Sequence, residues 1–130
     1  MFNYEDYLVK KNALSFEEAL VLYNKIHGSA DSTDEDFNFL WSSVIESASE
    51  YVKKRNDWLS YTKEQKQQMD ASRTALHNGF MATLKPLARY MGQMSWDASW
   101  YEELVNVEQA RQKQGDFAGY LLCIGCLKAR

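Results

Sequence analysis

The sequence predicts an all-α fold, a single-domain antiparallel bundle of four to six helices. Three observations carry that expectation. Apolar residues recur every three or four positions over long stretches, the period at which an α-helix returns the same face. At two expected helix starts a hydroxyl residue stands three positions before Glu or Gln, Ser15 with Glu18 and Thr62 with Gln65, the spacing of a capping box. The 130 residues include one proline and six glycines, too little punctuation for many short strands. A chain of this length makes one domain, residues 1–130, and buries a core without staples.

Residues 2–11 carry Phe2, Tyr4, Tyr7 and Leu8, the pattern of a short docking helix. Ser15 then opens a helix through Ala19, Leu22, Tyr23 and Ile26, with Gly28 placed to end it. After the loop GSADSTD the next helix starts at Asp34, and Asp34, Glu35 and Asp36 suit the positive end of its dipole. Those acids lack the ligand spacing of a calcium loop. Its buried face is Phe37, Leu40, Trp41, Val44, Ile45, Ala48, Tyr51, Val52, Arg55 and Leu59, a rod of about 40 Å. The short connection to Thr62 makes the second and third long helices antiparallel neighbours.

The third helix has the seam Met69, Arg73, Leu76, Phe80, Leu84, Leu87 and Met91. Pro86 lies inside it, where a missing amide is expected to kink the helix near Thr83, and Gly92 ends it. From Ser95 onward, Trp100, Leu104, Val107 and Arg111 share one seam. Gly115-Asp116 then offers a break and a fresh cap before FAGYLLCIGCLKAR, the most apolar segment, expected at the centre of the bundle.

A net charge of −3 and a pI near 5.4 argue against general binding to nucleic acid or anionic membrane. Lys53-Lys54-Arg55, Lys128 and Arg130 read as a solvated face and as cations near helix C-termini. No apolar run approaches the ~20 residues that span a bilayer. The start, MFNYEDYLVKKN, is acidic where a secretory signal needs a basic segment, so the chain is expected in the cytoplasm.

The segment 70-DASRTALHNGFMATLKPLARYM-91 sets Arg73, His77, Asn78 and Arg89 on or beside an apolar face. A buried arginine needs a carboxylate or several carbonyls. Asp70, Glu108 and Asp116 are the acids nearest these seams. The first expectation is an interhelical network in which Arg73, His77, Asn78 and Arg111 converge with Asp116. The second is that the same residues line a site.

Two resemblances bear on that second reading. RTALHN resembles the Arg…His signature of the HEPN superfamily, small all-helical ribonucleases and toxins, with three residues between the pair where the family has four to six. The resemblance implies metal-independent RNA cleavage, with His77 moving a proton and Arg73 steadying the anionic phosphorane. Taken together, R-x-x-x-H-N at residues 73–78, Arg89 and R-x-x-x-G-D-F-A at residues 111–118 resemble a small all-helical family from Gram-positive bacteria and their mobile elements. That resemblance implies a helical fold and a bacterial cytoplasm, and no activity.

Cys123 and Cys126 lie in the apolar terminal segment without the strand that a thioredoxin-like centre follows, and so read as buried free thiols. A structural zinc site needs four ligands, which His27 and His77 would complete only by a chance of folding. No phosphate-binding loop, dinucleotide fingerprint, HExxH or paired Glu-x-x-His is present, so no catalytic residue, metal or cofactor is assigned. The expected role is a non-catalytic, regulatory, immunity-type or accessory domain. Its expected partner is another protein or a second copy of the chain, met through an exposed aromatic patch. A ribonuclease using Arg73 and His77 is the alternative.

Overall fold

The computed structural model describes residues 13–128, and the expected docking helix at 2–11 lies outside them. Five helices follow in order: α1 (Phe16–Ser29), α2 (Glu35–Trp58), α3 (Lys63–Gln93), α4 (Ser99–Val105) and α5 (Ala110–Lys128). No strand occurs among the described residues, and the fold is an all-α bundle.

Both capping boxes form. Ser15 Oγ accepts from the Glu18 amide while Glu18 reaches back to the Ser15 amide, and Thr62 and Gln65 do the same. These contacts satisfy amides that have no partner inside the helix. Asp34 caps α2 by accepting from Phe37 N at 2.8 Å. It also accepts from the Tyr90 hydroxyl at 2.8 and 2.9 Å, which ties the start of α2 to the end of α3.

Cross-helix contacts fix the directions. Asp34 meets Tyr90, Ser47 meets Thr83 and Trp58 meets Arg73, so α2 and α3 run antiparallel. His27 packs edge-on to Phe37 and Tyr23 to Trp41, which makes α1 and α2 an antiparallel hairpin. Phe16 meets Tyr120 and Lys128 lies over Tyr23, so α5 runs alongside α1 in the same sense. The chain from Met94 to Gln109, with α4 in it, is the crossover that permits this.

The core is one cluster drawn from all five helices, with Trp100 and Leu104 of α4 filling it from one side. As the sequence predicts, α5 is the central helix: every residue from Gln114 to Leu121 is buried. Burying side chains such as Phe117, Tyr120 and Leu121 contributes about 1.5–3 kcal/mol each for the apolar ones.

Some boundaries differ from expectation. Gly28 lies inside α1, and Gly92 inside α3, each helix running one residue further. The helical path of α3 continues through Pro86, whose ring faces solvent. The larger correction concerns Gly115-Asp116. They neither break the chain nor cap a helix, because α5 begins at Ala110 and runs straight through them. The break comes earlier, at residues 106–109, where Gln109 takes a left-handed φ of 57°. Aromatic residues go mainly inward. Trp100 is fully buried, Trp41, Trp58 and Trp96 are half-buried, and Phe39 is the one strongly exposed aromatic among the described residues. The expected aromatic surface patch is therefore not what this fold presents there.

Candidate functional site

Where α2, α3 and the start of α5 meet, an open groove of about 740 Å³ is bordered by Arg55, Arg73, His77, Arg111 and Asp116, with Tyr51 and Gly115 at its base. Arg55 and Tyr51 come from the C-terminal half of α2, one turn apart. Arg73 and His77 come from α3, again one turn apart and on one face. Arg111, Gly115 and Asp116 come from the first two turns of α5.

Gly115 explains how α5 can lie so close. A Cβ there would stand 3.0 Å from Tyr51 Oη and 3.1 Å from His77 Nε2, tighter than most side-chain contacts. The missing side chain leaves the His77 ring room to reach the Arg111 carbonyl, one helical turn back along the same face. His77 Nε2 lies 3.0 Å from that oxygen. A carbonyl only accepts, so Nε2 carries the proton and the neutral ring has its lone pair on Nδ1. Nδ1 is buried with no hydrogen-bond partner among the described residues.

His77 is 7% exposed, and its ring packs edge-on against Tyr51 at 4.9 Å. Burial holds its pKa below the ordinary value of 6.5, and the Arg111 guanidinium pushes it the same way. The hydrogen bond to the Arg111 carbonyl acts in the opposite direction, and Arg55 and Arg73 add smaller downward effects.

Asp116 is 3% exposed and is satisfied from two sides. Its Oδ2 accepts from Leu14 N at 3.2 Å, anchoring the approach to α1, and its Oδ1 accepts from Arg55 Nη2 at 3.3 Å. The expected partner, Arg73, is elsewhere. Its guanidinium lies over the Trp58 ring at 4.2 Å and donates to Asp70 at 3.3 Å, one turn back on its own helix. The reason is positional: Arg73 keeps the phase of the seam, but the bundle has thinned out there, and its side chain is 40% exposed. Arg55, on α2, is the arginine at the depth of Asp116.

The predicted residues thus fall into three groups. Arg111 clamps α5 to α3, its carbonyl on His77 and its Nη1 donating to Asn78 Oδ1 at 3.0 Å. Arg73, His77, Arg111 and Asp116 share the groove, whereas Asn78 touches it only through Arg111. Arg89 is exposed and lies three turns further along α3, outside the groove. Arg55 and Tyr51 went unassigned to the site, although both fall on the buried face that periodicity gives α2.

Cys123 is buried, which pushes its thiol pKa up to about 11, whereas Cys126 is only half-buried, a correction to the expectation that both are enclosed. Among the described residues no three His, Cys, Asp or Glu side chains gather as metal ligands would. No helix there is long and apolar enough to cross a membrane. Comparisons of the chain with protein-family models, with curated proteins and with solved structures each return no match.

Proposed function

We propose that this chain is a non-catalytic binding domain whose arginine-bordered groove recognises an anionic group on a protein partner. One observation carries the reading: Arg55, Arg73 and Arg111, brought from three helices, border one open groove, while the histidine among them is tied into the scaffold. Guanidinium groups bind anions through paired N–H donors and hold their charge at any physiological pH. A general base must present a nitrogen to the reacting group. His77 has Nε2 on a backbone carbonyl and Nδ1 buried, which favours binding over proton transfer.

The overall charge of −3 favours a compact anionic group over a nucleic-acid strand, whose backbone calls for an extended basic face. With this reading go the regulatory or accessory role, the bacterial cytoplasm and the mobile-element setting that the motif resemblance implies. A ribonuclease remains the second reading, because Arg73 and His77 line the same groove.

Capture from the native lysate separates the two. The wild-type chain should retain a protein that the Arg73→Gln/Arg111→Gln double variant releases, and His77→Gln should retain it still. Loss of single-stranded RNA on incubation with the wild type, abolished in His77→Gln, would instead establish the ribonuclease.

A further inference from the structure

We infer that the groove takes a phosphoryl group, a phosphate monoester dianion carried by the partner. This rests on the binding reading above and names the chemistry that the groove selects. Among the described residues of the lining, three guanidinium groups stand with one carboxylate, Asp116, and a neutral His77, an excess of two positive charges. A phosphate monoester brings nearly two negative charges and three acceptor oxygens, whereas a carboxylate brings one charge and two oxygens. Among the described residues the lining has no lysine. Arginine supplies the planar, two-pronged donor that matches adjacent phosphoryl oxygens.

The donors are also held in place before any ligand arrives. Arg73 rests on the Trp58 ring, Arg111 on Asn78 Oδ1, and Arg55 on Asp116. Each contact restricts a long side chain, so less conformational freedom is lost when an anion binds. The Arg73 contact to Asp70 does not compete strongly, because both side chains reach solvent and such pairs are weak. Thr74, Gln109 and Gln112 border the same groove and offer neutral donors for remaining oxygens. The groove is far larger than a phosphate ion, which leaves room for the residue that bears it.

The test uses the full chain near neutral pH, titrated by calorimetry with inorganic phosphate, O-phosphoserine and acetate at matched ionic strength. Phosphate and phosphoserine should bind and raise the melting temperature, phosphoserine at least as tightly, and acetate should do neither. Arg73→Gln and Arg111→Gln should each weaken phosphoserine by about tenfold or more, the share of one charge-assisted pair. Arg89→Gln, outside the groove, should leave it unchanged. Equal binding of acetate and phosphate overturns the inference, as does binding of inorganic phosphate without phosphoserine. If neither phosphate compound binds while arginine-dependent capture of a protein persists, the phosphoryl assignment falls and the partner reading stands. If that capture is absent too, both fall.

Discussion

At position 115 a hydrogen where other residues carry a Cβ lets α5 settle against Tyr51 and His77. Gly115→Ala sets two opposing effects against each other. Alanine favours a helix interior by about 1 kcal/mol, but overpacking against two buried rings costs about 1–3 kcal/mol. Tyr51 and His77 pack on each other and have little room to yield, so the variant should be less stable by roughly 1 kcal/mol in denaturant unfolding. It should also displace the His77 ring from the Arg111 carbonyl, visible as a shift of the imidazole signals. Asp116 gives a second test. A double-mutant cycle should find coupling with Arg55 and less than about 0.5 kcal/mol with Arg73. Arg55→Gln should cost on the order of 2–3 kcal/mol, below the 3–5 of a fully buried pair, because Arg55 is 35% exposed on its side chain and Leu14 N still serves the carboxylate. Arg73, His77 and Arg111 could be read as site residues from their polar character at or beside seam positions, and Asp116 as an acid near those seams in sequence. Arg55 shared that signature, yet its neighbours Lys53 and Lys54 made the triplet look like a solvated face. Which arginine meets Asp116 depends on how far each helix extends past the core, and periodicity carries no depth.

Within α3, Pro86 removes the amide that would bond the Ala82 carbonyl, yet the helix runs 31 residues without interruption. Pro86 faces solvent, so no packing is lost with its ring. Pro86→Ala should therefore stabilise the fold by about 1 kcal/mol or more, since proline costs about 3 kcal/mol relative to alanine in a helix interior. An unchanged or lower unfolding midpoint would mean that the packing of α3 relies on the proline. Three helices announce themselves through caps and period, α1, α2 and α3 starting where Ser15, Asp34 and Thr62 indicate. The seam expected from Trp100 through Val107 to Arg111 is instead cut by the break at 106–109 and divides between α4 and α5. The start of α5 did not announce itself. Gly-Asp before an apolar run is the signature of a break and also of a glycine kept small for close approach; the two differ only in what packs against them. The true break is at Gln109, a left-handed residue with no glycine to mark it. In α5 itself, Cys126 should react with a thiol reagent in the native protein well before Cys123, whose thiol is buried and hard to ionise.

Across the bundle, two histidines are held neutral. Burial lowers the pKa of His27, helped by Lys128, and burial lowers that of His77, helped by Arg111. Below the unfolded value of 6.5 the unfolded chain therefore binds protons that the folded chain resists. The stability these groups contribute is fully present above 6.5 and is lost as pH falls from there through their folded values. The melting temperature should drop between neutral and mildly acidic pH, and His77→Gln should flatten part of that slope. The same economy shapes the interior, where aromatic residues of all five helices fill the core beside the polar groove. If Arg73 and Arg111 serve a ligand, the fold does not need them as it needs Arg55. Arg111→Gln keeps the carbonyl that His77 uses and gives up an exposed hydrogen bond to Asn78. Arg73 contributes a stacked contact of about 0.5–1 kcal/mol beside a weak exposed ion pair with Asp70. The decisive measurement is denaturant unfolding of the Arg73→Gln/Arg111→Gln double variant beside Arg55→Gln. The double variant should lose no more than about 1 kcal/mol, and Arg55→Gln at least twice as much. A double variant as unstable as Arg55→Gln would make all three arginines part of the scaffold and leave the groove without a function.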